Sequence, residues 1–266
     1  MKRLLTIINL SGVLLFCCAA AVAAAAEVIA VRQPGASLDT SVRNEADNAK
    51  RLAAEWLAAR QQPDGSWGST NANTVLTPIV WLALEGMGNA VDTMARHRAA
   101  VWLDNHPPGD NAPFDAYLWR LLAMLHGPPD SPFKTVGVEL KTVEALAPNA
   151  SAYSRWLWRE TDFLLTSSGP YLTDSAKRQL ALIAADYPLD TQNTETFWFF
   201  ARLINRYSKG VWIRGTEVLD WRNDFGLALI NMQRKDPARG GYWNGATDDA
   251  KIRATAFALL ALHEID

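Results

Sequence analysis

Residues 61–84 read QQPDGSWGSTNANTVLTPIVWLAL, and the change of character along this stretch decides the fold. Gln61-Gln62-Pro63-Asp64-Gly65-Ser66-Trp67-Gly68 is rich in residues that set turn geometry: Pro fixes φ, Gly opens the left-handed region, and Asp and Ser bond nearby backbone. Val75, Leu76, Ile79, Val80, Trp81, Leu82, Ala83 and Leu84 then predict a helix apolar around most of its circumference, which has to be enclosed by protein. The helix before the turn has a different pattern. Ala49, Leu52, Ala53, Trp56 and Leu57 recur at i, i+3, i+4, i+7 and i+8, the mark of an amphipathic helix with a polar outer face. One unit therefore consists of a one-sided helix, a Gly-Trp turn and an enclosed helix.

The alternation continues along the chain. Met94, Ala95, Val101 and Trp102 predict a one-sided helix, and Tyr117, Leu118, Trp119, Leu121, Leu122, Met124 and Leu125 an enclosed one. Two further helices are expected over 136–146 and 153–165. Leu180, Ile183, Ala184 and Tyr187 are then followed by Phe197, Trp198, Phe199, Phe200, Leu203 and Ile204. Last, Trp221, Phe225, Ala228, Leu229 and Met232 are set against Ala254, Ala256, Phe257, Ala258, Leu259, Leu260, Ala261 and Leu262. No sustained period-two alternation competes, so the fold class is all-α, with about ten helices in about five pairs. Alternating one-sided and enclosed helices are satisfied by two concentric rings, an α/α toroid in the form of a small or incomplete α/α barrel.

Composition agrees with a large core. Of 266 residues, 49% are hydrophobic and 11 are Trp, which excludes a disordered chain. The 26 Lys and Arg against 28 Asp and Glu leave no basic footprint, so nucleic acid is not expected as a partner. Lys2 and Arg3, an apolar stretch from Leu4 and an alanine run ending at Ala24, Ala25 and Ala26 have the pattern of a cleaved signal peptide over 1–26. The alternative is an uncleaved membrane anchor, since the apolar stretch is just long enough to span a bilayer. Cleavage predicts a secreted or periplasmic protein with an extended lead over 27–40 and a toroid domain over 41–266. It also removes Cys17 and Cys18, the only cysteines, leaving no disulfide, thiolate zinc site or cysteine nucleophile. Phe16 before Cys17 is a poor fit to a lipid-attachment site.

The first and last units overlay. Thr77-Pro78-Ile79-Val80-Trp81-Leu82-Ala83-Leu84 lies over Thr255-Ala256-Phe257-Ala258-Leu259-Leu260-Ala261-Leu262, and each follows a turn with Gln, Gly and Trp in that order: Gln61, Gly65 and Trp67, then Gln233, Gly241 and Trp243 with a longer insert. These residues resemble the Gln-Trp repeat of the squalene-hopene cyclase and prenyltransferase α/α toroids. The resemblance implies a closed or nearly closed helical ring with a central cavity, in which the Gln tethers the turn and the Trp stacks at a helix end.

The chemistry of that family lacks its residues here. In the hopene cyclases the catalytic acid lies in an Asp-x-Asp-Asp segment just before a Thr-Ala; here Thr255-Ala256 follows Lys251-Ile252-Arg253-Ala254, and Asp248-Asp249 falls five residues early, with Ala246 in place of the first Asp. The first repeat has Asn73-Thr74-Val75-Leu76 at that place. A prenyltransferase zinc site needs Cys. His97, His106, His126 and His263 contain no i, i+4 pair, so no metal and no cofactor are expected.

Three functional readings follow. The first is a non-cyclising exported toroid that binds a hydrophobic, isoprenoid or glycan small molecule, or a protein partner, with Trp198, Tyr117 and Arg253 as candidate ligand contacts. The second is a polysaccharide hydrolase or lyase, because Asp115, Glu195, Asp248 and Asp249 fall just before inner helices and would ring one mouth of the cavity as paired carboxylates. Helix capping and dipole stabilisation would equally place acids there. The third is an atypical terpenoid cyclase using Asp248 or Asp249.

Overall fold

The first helix, α1 (Thr40–Ala59), begins after Asp39, whose extended backbone donates its N–H to the Asn223 side-chain oxygen at 2.8 Å. It buries Val42, Ala46, Ala49, Ala53, Trp56 and Leu57 on one face. The small alanines on that face let a neighbouring backbone approach closely. The computed structural model describes residues 37–85, 87, 90–109, 112–126, 193–208, 211–214 and 216–266. They belong to a unit spanning Gly35–Asp266. The signal segment 1–26, most of the lead over 27–40, and the helices expected over 136–146, 153–165 and around 180–187 lie outside the described residues.

Six more helices follow: α2 (Asn73–Ala83), α3 (Ala90–Asn105), α4 (Phe114–His126), α5 (Thr194–Ser208), α6 (Trp221–Met232) and α7 (Asp248–Ile265). The described chain is mostly helical, and the all-α class holds. Two short antiparallel hairpins accompany the helices, β1 (Trp212–Arg214) with β2 (Glu217–Leu219), and β3 (Arg234–Lys235) with β4 (Gly241–Tyr242). Strands of two or three residues are too short to leave a period-two signature, which is why the sequence reading contains none. The second hairpin accommodates the longer insert of the last Gln-Trp turn.

Helices α5, α7, α2 and α4 pack side by side in that order. Helices α6, α1 and α3 form a second row, with α1 and α6 against α7 and α3 against α2. The first row is the enclosed one: α2 buries every residue from Leu76 to Ala83, and α7 buries Ile252, Thr255–Leu259, Ala261, Leu262 and Ile265. Burying each large apolar side chain contributes about 1.5–3 kcal/mol, so these helices carry much of the core energy. Pro78 sits inside α2, where its missing N–H leaves a backbone carbonyl one turn earlier without the usual helical donor. Thr247 caps α7, its hydroxyl accepting from the Ala250 N–H at 3.1 Å.

The C-terminal residue is fastened to α1. Asp266 pairs with Arg43 and with the buried Lys50, each at 3.0 Å. Burial pulls the Lys50 amine down, but the Asp47 and Asp266 carboxylates more than reverse this and hold it above its ordinary value.

Candidate functional site

Two turns in the chain are built alike. Trp67 donates its backbone N–H to the buried Thr77 hydroxyl at 3.1 Å and its indole N–H to the Leu57 carbonyl at 2.7 Å. Trp243 does the same with Thr255 at 3.1 Å and Leu229 at 2.9 Å. In each unit the indole joins the end of one helix to its turn, and the threonine joins that turn to the enclosed helix. Gln61 Nε2 donates to the carbonyls of Gly65 at 2.9 Å and Ala95 at 2.7 Å, while Gln233 Nε2 donates to Ala49 at 2.9 Å. Each turn thus also grips a further helix, α3 for Gln61 and α1 for Gln233.

The glycines complete that grip. Gly65 has φ +97°, and a Cβ there would lie 2.5 Å from the Arg98 carbonyl oxygen. In the second turn the left-handed residue is Gly240, φ +76°, whose Cβ would meet the Leu52 carbonyl oxygen at 2.5 Å. Gly241, one residue on, instead lies against the Gln233 side chain. Each turn also carries an aspartate beside a Trp of a neighbouring helix. Asp236 accepts from the Trp56 indole at 2.9 Å and pairs with Arg60, which stacks over the Trp56 ring. Asp64 accepts from the Ser66 N–H at 2.9 Å and the Ser66 hydroxyl at 2.8 Å, with Trp102, whose ring stacks on His106, close by. Both carboxyls sit below their ordinary range: Asp236 chiefly through the Ala238 N–H and the Trp56 indole, Asp64 because the Ser66 bonds and Trp102 outweigh the upward push of burial. An Asp four or fewer residues before the left-handed Gly is the sequence signal that would have identified this pair.

Among the described residues, the first turns of the enclosed helices lie near one another and bring several candidate residues together. Asp115 of α4, with Asp249 and Arg253 of α7, lines a depression of about 290 Å³ together with Val75, Leu76 and Pro113. Glu195 of α5 joins them through Arg253: the guanidinium spans both carboxylate oxygens, with contacts of 2.9, 3.0 and 3.1 Å. Arg253 in turn lies over the Phe257 ring. Asp249 holds the first turn, accepting from the Ser69 N–H at 2.8 Å and its hydroxyl at 2.6 Å. Asp248 points away, 88% exposed and paired with Lys251. Tyr117 is buried and donates its hydroxyl to the Gly109 carbonyl at 2.7 Å.

One to three turns further along these helices lies an aromatic layer. Trp119, Trp198 and Phe257, from α4, α5 and α7, meet pairwise with ring centroids 5.4–5.5 Å apart. Beyond it, toward the C-terminal ends of the same helices, a cavity of about 150 Å³ is lined by Leu82, Glu85, Trp119, Leu122, Trp198, Arg202 and Leu260. The charged residues around it are paired, Glu85 with Arg96 and Arg202 with Glu264. Of the residues lining this cavity, the sequence marks Trp198 as a ligand contact, as part of an aromatic run. Trp119 and Arg202 carry no such mark, because ordinary core and surface patterns account for them.

Among the described residues, no group of three His, Cys, Asp or Glu side chains could hold a metal, and no helix is long and apolar enough to cross a membrane. Comparison with protein-family models, with curated proteins and with solved structures finds no match.

Proposed function

We propose that the chain is an exported α/α-toroid protein of the squalene-hopene cyclase and prenyltransferase repeat class that does not cyclise, and that it works by binding a small apolar ligand between its enclosed helices. The observation that carries the binding reading is the cavity lined by Trp119, Trp198, Leu82, Leu122 and Leu260, with Glu85 and Arg202 as its polar residues. Concave, mainly apolar spaces with few polar groups are where small ligands bind. A toroid is supported by the way each turn grips a further helix, Gln61 on Ala95 and Gln233 on Ala49. Absence of cyclisation is supported by the same acids a cyclase would need: Asp248 faces solvent with Lys251, and Asp249 is engaged by Ser69. Export rests on the signal pattern over 1–26.

The test is mass spectrometry of an organic extract of the protein isolated from the extracytoplasmic fraction, with its N-terminus sequenced. The reading expects a retained apolar compound, reduced in Trp198→Ala, on a chain beginning at Glu27. A cyclic hydrocarbon formed from squalene would contradict it.

A second reading places a glycan at the mouth, favoured by Asp115, Asp249 and Arg253 sharing one depression. It expects new reducing or unsaturated ends on a polysaccharide, lost in Asp115→Asn. Against it stands Glu195, both of whose oxygens accept from Arg253, leaving it poorly placed to deliver a proton.

A further inference from the structure

We infer that Asn244 is a self-modification site, at which the side-chain amide closes onto the backbone nitrogen of Gly245, loses ammonia, and opens with water to an aspartyl or isoaspartyl residue. Asn244-Gly245 is the one Asn-Gly pair in the chain, and it lies in the link between β4 and α7. The Asn244 side chain is exposed and makes no hydrogen bond among the described residues, so nothing holds its amide carbon away from the main chain. Packing fixes the glycine that follows. A Cβ at 245 would lie 2.5 Å from the carbonyl carbon of Ala250 and 2.6 Å from the Lys251 nitrogen. A side chain that would shield the backbone nitrogen is therefore barred from this position.

The first turn carries the restraints that the second lacks. Counting from the two tryptophans, Gly245 corresponds to Ser69, and Ser69 donates its N–H to Asp249 at 2.8 Å. The Gly245 N–H has no acceptor among the described residues. Asp64-Gly65, the Asp-Gly pair of the first turn, is also held, since Asp64 accepts from the Ser66 N–H at 2.9 Å and its hydroxyl at 2.8 Å. The step needs only water as co-reactant. A bond forms between the Gly245 nitrogen and Asn244 Cγ, the Cγ–Nδ2 bond breaks, and the Gly245 amide proton leaves with the ammonia. Water then opens the cyclic imide at either carbonyl and leaves a new carboxylate. That carboxylate shares a depression of about 430 Å³ with Arg234, which has no acidic partner among the described residues. The isoaspartyl product also adds a main-chain atom between Trp243, whose N–H donates to Thr255, and Thr247, which caps α7.

The experiment holds the full protein in neutral buffer, native and in denaturant, and follows the mass of the proteolytic peptide carrying Asn244 and its methylation by an isoaspartyl methyltransferase. The expected result is a gain of one mass unit on that peptide ahead of every other asparagine of the chain, with a product that accepts the methyl group. The native rate is expected to lie less than about a thousandfold below the denatured one, because reaction confined to the globally unfolded fraction would be slowed by about a thousandfold or more. Asn244→Gln, whose longer side chain would have to close a larger ring, is expected to lose the mass gain. It should fold, since the side chain it replaces is exposed and makes no hydrogen bond among the described residues. A native rate about a thousandfold or more below the denatured one overturns the inference, as does a mass gain that appears first at another asparagine. A gain at Asn244 without a methylated product also overturns it, because direct hydrolysis would then have bypassed the imide.

Discussion

The side-chain amide of Gln233 donates to the carbonyl of Ala49 at 2.9 Å, across 184 residues of sequence. Gln61 makes the corresponding bond to Ala95 at 2.7 Å. Three residues beyond each acceptor, the carbonyls of Leu52 and Arg98 are met by Gly240 and Gly65. The last turn therefore sits on α1 as the first turn sits on α3, and the C-terminal unit behaves as the one preceding the first. Helix order, rather than chain order, organises the outer row.

Gly65→Ala and Gly240→Ala should each destabilise the fold, because a Cβ would lie 2.5 Å from a neighbouring backbone oxygen at a positive φ. The left-handed conformation alone costs a non-glycine residue about 1–2 kcal/mol, and the clash adds to it. Gly109→Ala, with nothing within 4 Å of the added methyl, should be near neutral. Chemical denaturation of the three variants checks this, and an unaffected midpoint for Gly240→Ala would refute the equivalence of the two turns.

Trp67→Phe and Trp243→Phe should cost similar amounts, at least about 1–3 kcal/mol each, since both leave a buried carbonyl, Leu57 or Leu229, without its indole donor and both vacate the space of the second indole ring at a fully buried site. A difference of more than about 2 kcal/mol between them by denaturant titration would mean that one indole bond is not structural.

Stability should fall as pH drops from about 7 toward 5. His263 is partly buried, and burial, then the Lys50 charge, push its pKa below the ordinary histidine value, outweighing its bond to the Ala83 carbonyl. A group that prefers to be neutral in the fold gives full stabilisation above its unfolded pKa and loses it as pH falls through that value toward the lower folded one. Thermal melts of the native protein should therefore show Tm decreasing over this window, and His263→Gln should flatten the slope. An identical slope in the variant would locate the titrating group elsewhere.

The helices and their two kinds of face were legible because period and enclosure are written locally. The eight residues from Thr77 to Leu84, with hardly a polar atom, leave no surface free for water. The gathering of Asp115, Asp249, Glu195 and Arg253 was also legible in outline, since acids in the first turns of enclosed helices come together when those helices enter from the same side. Their individual engagements were not. Glu195 and Arg253 are 58 residues apart, and their pairing depends on how α5 packs against α7. Whether Gly240 or Gly241 takes the left-handed position depends on the hairpin formed by the insert, which no local pattern specifies. An unpartnered indole such as that of Trp119 leaves no trace in sequence, because it is defined by what is missing around it.

Binding rather than turnover is the central claim, and the direct measurement pairs mass spectrometry of the apolar compound retained by the protein with a polysaccharide cleavage assay, on the native protein and on Asp115→Asn combined with Glu195→Gln. The account predicts the same retained compound in both proteins, in amounts within about twofold, because the cavity lined by Trp119 and Trp198 is separate from the acids in the first turns of the helices. It also predicts no new glycan ends from either. New reducing or unsaturated ends produced by the native protein and abolished in the double variant would contradict it, and would return Asp115 and Glu195 to a catalytic role.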